Sequence, residues 1–165
     1  KMSAGIQTAR SDEIMVTRAH GTCVSEVERP LRWGADRATA DTICCFNRMY
    51  AERSGSWEQT SFLRDQTEAG SGGGGGVTTF YDSVTGKALF RAPVGRTWEA
   101  FVEESRAHGW PSFRDAEVVT KSIRVLEDGE VVSVDGTHLG HNLPDEAGNR
   151  YCINLVSVAG WPGVP

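Results

Sequence analysis

The chain has 165 residues, enough for one domain with a hydrophobic core, and its 17 basic and 22 acidic residues give a formal charge of −5. Neither the basic nor the acidic residues form a long run, which argues against a surface that binds nucleic acid or an anionic membrane. A small molecule or a peptide side chain is therefore the favoured substrate. No apolar run approaches the roughly 18 residues that span a bilayer, so we expect a soluble protein without a membrane span.

The N-terminal part of the chain has a weak structural pattern. The opening Lys-Met-Ser at 1–3 has no basic and apolar leader, so a processed organellar or secreted origin stays open and the compartment is unknown. Residues 1–41 mix polar, charged and small residues, and we expect an irregular extension that wraps the core. Between 42 and 62, apolar residues separated by polar ones predict two short strands with a turn near 54–56.

From residue 70 onward the pattern indicates sheets and one helix. The glycine-rich run at 70–76 predicts a surface loop, because glycine loses the most entropy on ordering and has no side chain to pack. The spacing of apolar residues over 97–108 predicts a helix that the Gly-Trp-Pro sequence at 109–111 ends. Its inner face is expected to carry Trp98, Phe101, Val102 and Ser105.

Alternation and turn signals predict the remaining strands. They are placed at 77–81, 88–90, 117–120, 122–126, 130–134 and 150–158, with a turn at 83–87 and a hairpin across 127–129. We therefore expect a single domain over 1–165 of the mainly β class, with antiparallel sheets and one flanking helix.

The four cysteines are Cys23, Cys44, Cys45 and Cys152. They form no Cys-x-x-Cys pair and no four-ligand zinc spacing, so we expect no structural zinc. The adjacent pair at 44–45 rarely bonds to itself, because neighbouring residues meet disulfide geometry only with strain. Two readings stay open: a thiol relay to Cys152, or a structural disulfide that joins Cys23 to Cys44 or Cys45.

Cys152 has a polar setting that suits a reactive thiol. In a strand, Arg150, Cys152 and Asn154 share one face, so the guanidinium could stabilise a thiolate or hold a neighbouring carboxylate. His138 and His141 precede Asp145 and suit proton transfer near neutral pH. Alone, these residue types more often represent a small buried cysteine and metal-binding or surface histidines than a catalytic site.

Three short motifs together carry a family resemblance. They are Gly-Trp-Pro-Ser-Phe at 109–113, His-Leu-Gly-His at 138–141 and Arg-Tyr-Cys-Ile-Asn at 150–154. Over roughly residues 79–160 the chain resembles the methionine-R-sulfoxide reductases, the MsrB or SelR family. The resemblance implies a fold of twisted antiparallel sheets, the β-tent, and thiol-dependent reduction of the R epimer of methionine sulfoxide, free or in a peptide, without a bound cofactor.

The resemblance also assigns roles to single residues. Cys152 would attack sulfur, and His141 with His138 would supply protons, with Asp145 orienting the pair. Arg150 and Asn154 would set charge and geometry. Substrate contacts would come from Trp110, which packs on the S-methyl group, and from Phe113 as a second wall.

The chain departs from the family in two places. Most relatives hold a structural zinc with two Cys-x-x-Cys pairs, and the four matching positions here are Ser83, Gly86, Val132 and Asp135, so we expect a variant without that zinc. The resolving cysteine that many relatives carry before the first motif is His108 here. Resolution would then fall to Cys44 or Cys23, ahead of Cys45, or to direct attack by thioredoxin or glutathione.

Two other classes of function stay open. One is a non-catalytic accessory or binding module on the same fold, a subunit of a larger assembly; the other is a redox sensor in which oxidation of Cys152 is the signal. A closed pocket, or an N-terminal segment plugged over Cys152, would favour the module. An open groove in which Trp110 faces Cys152 would favour the enzyme.

Overall fold

The molecule is built around a six-stranded sheet, described by a computed structural model that covers residues 6–68 and 76–163. The strands are β1 (Gln7–Ala9), β2 (Thr78–Tyr81), β3 (Ala88–Ala92), β4 (Ser112–Phe113), β5 (Ile123–Leu126), β6 (Glu130–Ser133), β7 (His138–Asn142) and β8 (Tyr151–Ile153). The large sheet has the order β1-β5-β6-β7-β8-β4, and β2 and β3 form a separate antiparallel pair. Only the β1–β5 pair is parallel among these strands. The mainly β class is confirmed.

Helices pack around these sheets. The α-helices are α1 (Ser11–Ile14), α2 (Arg37–Asp41), α3 (Phe62–Glu68) and α4 (Trp98–His108), and a π-helical turn (Thr42–Phe46) continues α2. Short 3-10 turns lie at Arg32–Gly34, Ser56–Gln59, Asp115–Glu117, Thr120–Ser122 and Leu155–Ser157. Among the helices of the described residues, none combines the length and apolar character that crossing a membrane requires.

Helix α4 confirms the clearest prediction from the sequence. Thr97 Oγ1 accepts a hydrogen bond from Ala100 N at 3.0 Å and caps the first turn. Gly109 ends the helix in the left-handed region at φ 98°, where glycine carries no Cβ penalty. The predicted inner face is buried, as Trp98, Phe101, Val102 and Ser105 all lie against the core.

The two strands predicted between 42 and 62 are wrong: this segment contains a π-helical turn (Thr42–Phe46), a 3-10 turn (Ser56–Gln59) and the start of α3, with irregular backbone between them. Asp36 accepts the Thr39 N–H at 2.9 Å and starts α2. Ala40, Ile43 and Cys44 are buried. Ile43 and Cys44 lie three and four residues after Ala40, so their burial fits one face of a helix better than strand alternation. The extension is also less irregular than expected, since β1 adds a parallel edge to the large sheet.

Three further boundaries differ from the predictions. The strand expected at 117–120 is replaced by 3-10 turns, with one bridge from Val118 to Phe90. The strand expected over 150–158 ends at Ile153, because Asn154 turns its amide to Leu139 O and the chain then enters a 3-10 turn. Strand β7 was not predicted. The glycine-rich loop predicted at 70–76 lies outside the described residues, except for Gly76.

One large apolar cluster joins the N-terminal segment to the sheets. Its members come from both halves of the chain, and an aromatic group at its centre includes Trp33, Trp57, Phe62, Phe80, Phe90, Phe101 and Phe113. The N-terminal segment therefore packs against the same core as the strands, which brings Glu52 into contact with Trp110 and Asn154.

Candidate active site

The candidate nucleophile lies in the middle of a strand ladder. Cys152 on β8 pairs with His141 on β7 and with Ser112 on β4. Residues directly opposite in an antiparallel pair have Cβ atoms roughly 5 Å apart on the same face, so the thiol and the His141 imidazole are neighbours. Gly140 permits this approach, because a Cβ atom there would lie 2.0 Å from Cys152 O.

A β-bulge places both histidines on one side of β7. Val131 and Val132 are consecutive, yet they pair with Gly140 and His138, which leaves Leu139 as an extra residue. Without the bulge, residues three apart would face opposite sides of a strand. The ring centroids of His138 and His141 are 6.1 Å apart, and both rings line the same pocket.

This pocket has a volume of about 800 Å³ and two different walls. The C-terminal strands and the turn after α4 contribute Trp110, Glu130, His138, Gly140, His141, Cys152 and Asn154. The N-terminal segment 46–51 forms the opposite wall, with Phe46, Met49 and Tyr50 exposed. Cys152 is partly exposed and Trp110 lines the same space, so the N-terminal segment borders the thiol without covering it.

A buried carboxylate holds His138. Glu130 Oε2 lies 2.7 Å from His138 Nδ1, and Arg48 donates to both Glu130 oxygens, at 2.6 Å from Nη2 and 3.0 Å from Nε. Burial opposes ionisation of Glu130, but the hydrogen bonds from His138 and Arg48 outweigh it and lower its pKa to about 2. An ionised Glu130 can only accept this hydrogen bond, so His138 Nδ1 carries a proton.

A second buried carboxyl residue supports the other side of the pocket. Trp110 Nε1 donates to Glu52 O at 2.9 Å, and Glu52 N donates to Asn154 Oδ1 at 2.9 Å. The Glu52 side chain accepts the Leu155 N–H. Burial raises the pKa of Glu52 to about 7. The Glu52 backbone thus bonds to Trp110 and Asn154, and the Glu52 side chain bonds to Leu155, the residue after Asn154.

Arg150 is the cation closest in sequence to the thiol, and it is buried. Its Nε and Nη1 have no hydrogen-bond partner, and Nε is 3.8 Å from Asp145 Oδ2. Burial raises the pKa of Cys152, and the charge of Arg150 opposes that rise. The resting site therefore favours the thiol, and Arg150 is the group that favours the thiolate.

Two predicted site residues lie elsewhere and are corrected. Phe113 is fully buried and stacks on Phe90 at 4.3 Å between centroids, so it is a core residue and not a pocket wall. Asp145 is exposed and does not line the pocket; Arg114 holds it at 2.9 and 3.0 Å, which lowers its pKa to about 2. Glu130 occupies the place beside the histidines that the prediction gave to Asp145.

The candidate resolving cysteines are also corrected. Cys23 and Cys45 form a disulfide, the alternative that the sequence left open, so neither is a free thiol here. Cys44 is free but fully buried, its Sγ is 3.5 Å from Ser157 Oγ, and burial raises its pKa. Among these three, the one free thiol is therefore buried in the core.

The sequence did not point to Arg48, Glu52 or Glu130. Glu130 stands in a predicted strand as an ordinary polar residue, and Arg48 and Glu52 lie in the segment whose structure was predicted wrongly. A partial signal exists for Glu130 only: it is directly opposite His141 once β6 and β7 are paired.

The positions that match the family's zinc ligands do not fit a metal. Ser83 Oγ donates to Val156 O, and Val132 is fully buried among apolar residues. Zinc requires thiolate, imidazole or carboxylate ligands, and only Asp135 of the four positions offers one. Within the described residues, both groups of three neighbouring metal-ligating side chains lie outside this pocket.

Comparison with known proteins gives one partial similarity. The chain is 41% identical over 61 residues to a peptide methionine sulfoxide reductase MsrB of Methanosarcina mazei, an overlap that covers 30% of this chain and 43% of that protein. The chain thus spans less than half the length of this relative. No family model matches the chain, and no solved structure matches it. Part of this chain is therefore similar to an MsrB reductase.

Proposed function

We propose that this pocket reduces the R epimer of methionine sulfoxide, free or in a peptide, to methionine. The observation that carries the proposal is the pairing of Cys152 with His141 in an open pocket that Trp110 and His138 also line. The partial similarity to MsrB supports the same reaction. No bound cofactor is needed, since an external thiol supplies the electrons.

The reaction balances with a single thiol. Cys152 loses its proton, and its sulfur attacks the sulfoxide sulfur while the sulfoxide oxygen gains a proton from the histidine pair. The oxygen ends on Cys152 as a sulfenic acid, so the thiol is oxidised by two electrons and the sulfoxide is reduced to the thioether. His141, the more exposed histidine, is the better proton donor, and His138 supports it.

Neighbouring residues adjust this step. Arg150 stabilises negative charge on the Cys152 sulfur, because its positive charge opposes the rise in the thiol pKa that burial causes. Asn154 is a positioning residue that Glu52 and Leu139 hold. The Trp110 indole offers an aromatic surface for the S-methyl group. Glu130 with Arg48 fixes the tautomer of His138.

Turnover requires a thiol from outside the chain. The buried Cys44 and the Cys23–Cys45 disulfide argue against internal resolution. We therefore propose that thioredoxin or glutathione attacks the Cys152 sulfenic acid directly, which forms a mixed disulfide and releases water, and that a second thiol then restores Cys152.

The test is turnover of separated R and S sulfoxide epimers in a methionine peptide, with dithiothreitol, thioredoxin or glutathione as donor. Wild type is compared with Cys152→Ser, and Cys44→Ser is the matched control. We expect R-selective turnover that is lost in Cys152→Ser and kept in Cys44→Ser. A single turnover without recycling would contradict the proposal of an enzyme and support the redox sensor. No reduction with any donor would support the accessory module.

A further inference from the structure

A second group of reactive side chains surrounds the disulfide, away from Cys152. His20 Nε2 lies 2.8 Å from Asp41 Oδ1, and one ring nitrogen of His20, one carboxylate oxygen of Asp41 and Cys45 Sγ all lie within 4.8 Å of one another. Cys23 Sγ is bonded to Cys45 Sγ. The group thus contains an imidazole, a carboxylate and two sulfurs.

Local structure presents these four residues as two pairs. His20 and Cys23 are the ends of a tight turn, with His20 N donating to Cys23 O at 3.0 Å and Cys23 N donating to His20 O at 2.9 Å. Asp41 and Cys45 lie one helical turn apart where α2 continues into the π-helical turn. The spacing is His-x-x-Cys on a turn and Asp-x-x-x-Cys on a helix. Zinc sites commonly combine ligand pairs of such spacing.

The turn is docked against the end of the helix. Thr22 N donates to Cys45 O at 2.9 Å. Gly21 has φ 60°, and a Cβ atom there would lie 1.9 Å from the same carbonyl oxygen, so only glycine allows this contact. The backbone therefore holds the two pairs together independently of the disulfide.

We propose that Cys23, Cys45, His20 and Asp41 form a zinc site when the disulfide is reduced. Reduction adds two electrons and two protons to the cystine and gives two thiols. With a phosphine reductant, the phosphine supplies the electrons and becomes its oxide with an oxygen from water. Zn²⁺ then displaces both thiol protons, and the two thiolates, His20 and Asp41 complete a four-coordinate shell.

The surroundings suit a structural ion. Sulfurs close enough to form a disulfide are close enough to share one tetrahedral zinc. The side chains of His20 and Asp41 are 24% and 28% exposed, which leaves an entry path from solvent, whereas both cysteines are buried. Phe46 packs edge-on against His20, with centroids 4.7 Å apart, and shields one side of the imidazole.

The other group of metal-ligating side chains lacks these properties. It consists of Glu104, His108 and Asp145. Arg114 already bonds to both of its carboxylates, so a cation occupies the space between them. It also offers no thiolate, the ligand type that most favours zinc over magnesium or calcium.

The consequence is a turn that stays attached to the helix in either redox state. The disulfide holds it under oxidising conditions and zinc holds it under reducing conditions. Residue 46 follows directly after Cys45 and begins the N-terminal wall of the pocket, so the switch between bond and metal leaves that wall in place.

The experiment measures zinc per chain by native mass spectrometry, before and after reduction with a phosphine and after addition of zinc chloride. Affinity is measured by competition with a chromophoric chelator, and Co²⁺ substitution reports thiolate ligands through its charge-transfer absorption. The variants are Cys23→Ser with Cys45→Ser, His20→Ala, which leaves the disulfide intact, and Asp41→Asn. The matched controls are His108→Ala and Cys152→Ser.

We expect one zinc per reduced chain, none per oxidised chain, and a Co²⁺–thiolate band. The double cysteine variant should lose binding, and His20→Ala should weaken it by roughly 100-fold while the oxidised protein stays folded. Both controls should bind like wild type. No zinc in the reduced chain, equal binding in His20→Ala, or loss of binding in His108→Ala or Cys152→Ser would overturn the proposal. None of these outcomes depends on reductase activity.

Discussion

The two walls of the pocket are built in different ways. The C-terminal wall is a ladder of hydrogen-bonded strands that places Cys152 beside His141, and its geometry follows from strand register. The N-terminal wall, residues 46–51, has little regular structure; it acts through the side chain of Arg48 and is continued by Glu52, whose backbone bonds to Trp110. The comparison indicates that the candidate reacting groups stand on hydrogen-bonded strands, and that the irregular segment contacts and supports them.

The largest loss of activity is expected from a substitution in the C-terminal wall. His141→Ala should lower kcat for the R sulfoxide by roughly 10²–10⁴-fold, because the proton for the sulfoxide oxygen loses its nearest donor. His108→Ala, on the exposed end of α4, is the matched control and should leave kcat unchanged. Equal activities for the two variants would show that the ladder does not carry the proton transfer.

Glu130 connects the two walls, and its replacement should be the costliest for stability. The folded pKa of about 2 lies below the ordinary value, so ionised Glu130 stabilises the fold above that ordinary value, and the stabilisation is lost as the pH falls toward 2. Glu130→Gln should lower the free energy of unfolding by roughly 3 kcal/mol at neutral pH.

Denaturant titrations of Glu130→Gln over a range of pH provide the measurement, with the exposed Glu146→Gln as control. The difference in unfolding free energy between wild type and Glu130→Gln should shrink as the pH is lowered. A difference that is the same at every pH would mean that packing, and not the charge held between Arg48 and His138, joins the walls.

Glu52 should give the opposite pH dependence. Its pKa is raised to about 7, so its contribution to stability is fully present below the ordinary carboxyl value and is lost as the pH rises through 7. Glu52→Gln keeps a carbonyl acceptor for the Leu155 N–H and cannot ionise. Wild type should therefore lose about 3 kcal/mol of stability between acidic and alkaline pH that Glu52→Gln does not lose.

Thermal unfolding as a function of pH measures this difference, with the exposed Glu99→Gln as control. Parallel curves for wild type and Glu52→Gln would contradict the assignment. They would indicate that the N-terminal wall supports Trp110 and Asn154 through the Glu52 backbone alone.

The smallest effect concerns the charge beside the thiol. Arg150→Met should slow alkylation of Cys152 by iodoacetamide at neutral pH by roughly fivefold, because the cation that opposes the raised pKa is removed. Arg124→Met is the control, because the Arg124 guanidinium bonds to the backbone carbonyls of Thr120 and Ile123. Mass spectrometry of the labelled Cys152 peptide against time gives the rate. An unchanged rate would place the source of thiolate stabilisation in the histidine pair.

Sequence reasoning succeeded where local signals agree with the fold. The helix over 97–108 has a capping threonine, an apolar face and a terminal glycine, and all three act locally. The hairpin across 127–129 rests on a turn with Gly129 in the left-handed region. Sequence reasoning failed over 42–62, because apolar residues at mixed spacing fit both strand and helix and because the π-helical turn has no sequence signature.

The sequence by itself determined which chemistry is present: the Cys152 thiol, two histidines three apart, the tryptophan after the helix, and the absence of family cysteines at the zinc and resolving positions. Only the tertiary structure decided which of these meet. In the fold, Cys23 is bonded to Cys45, and Cys44 and Phe113 are buried. Asp145 pairs with Arg114, and Arg48 pairs with Glu130 across 82 residues of chain. The physical reason is that these two kinds of interaction act over different distances along the chain. Caps, turns and periodicity act over a few residues, whereas burial and ion pairing depend on segments that become neighbours only when the core closes.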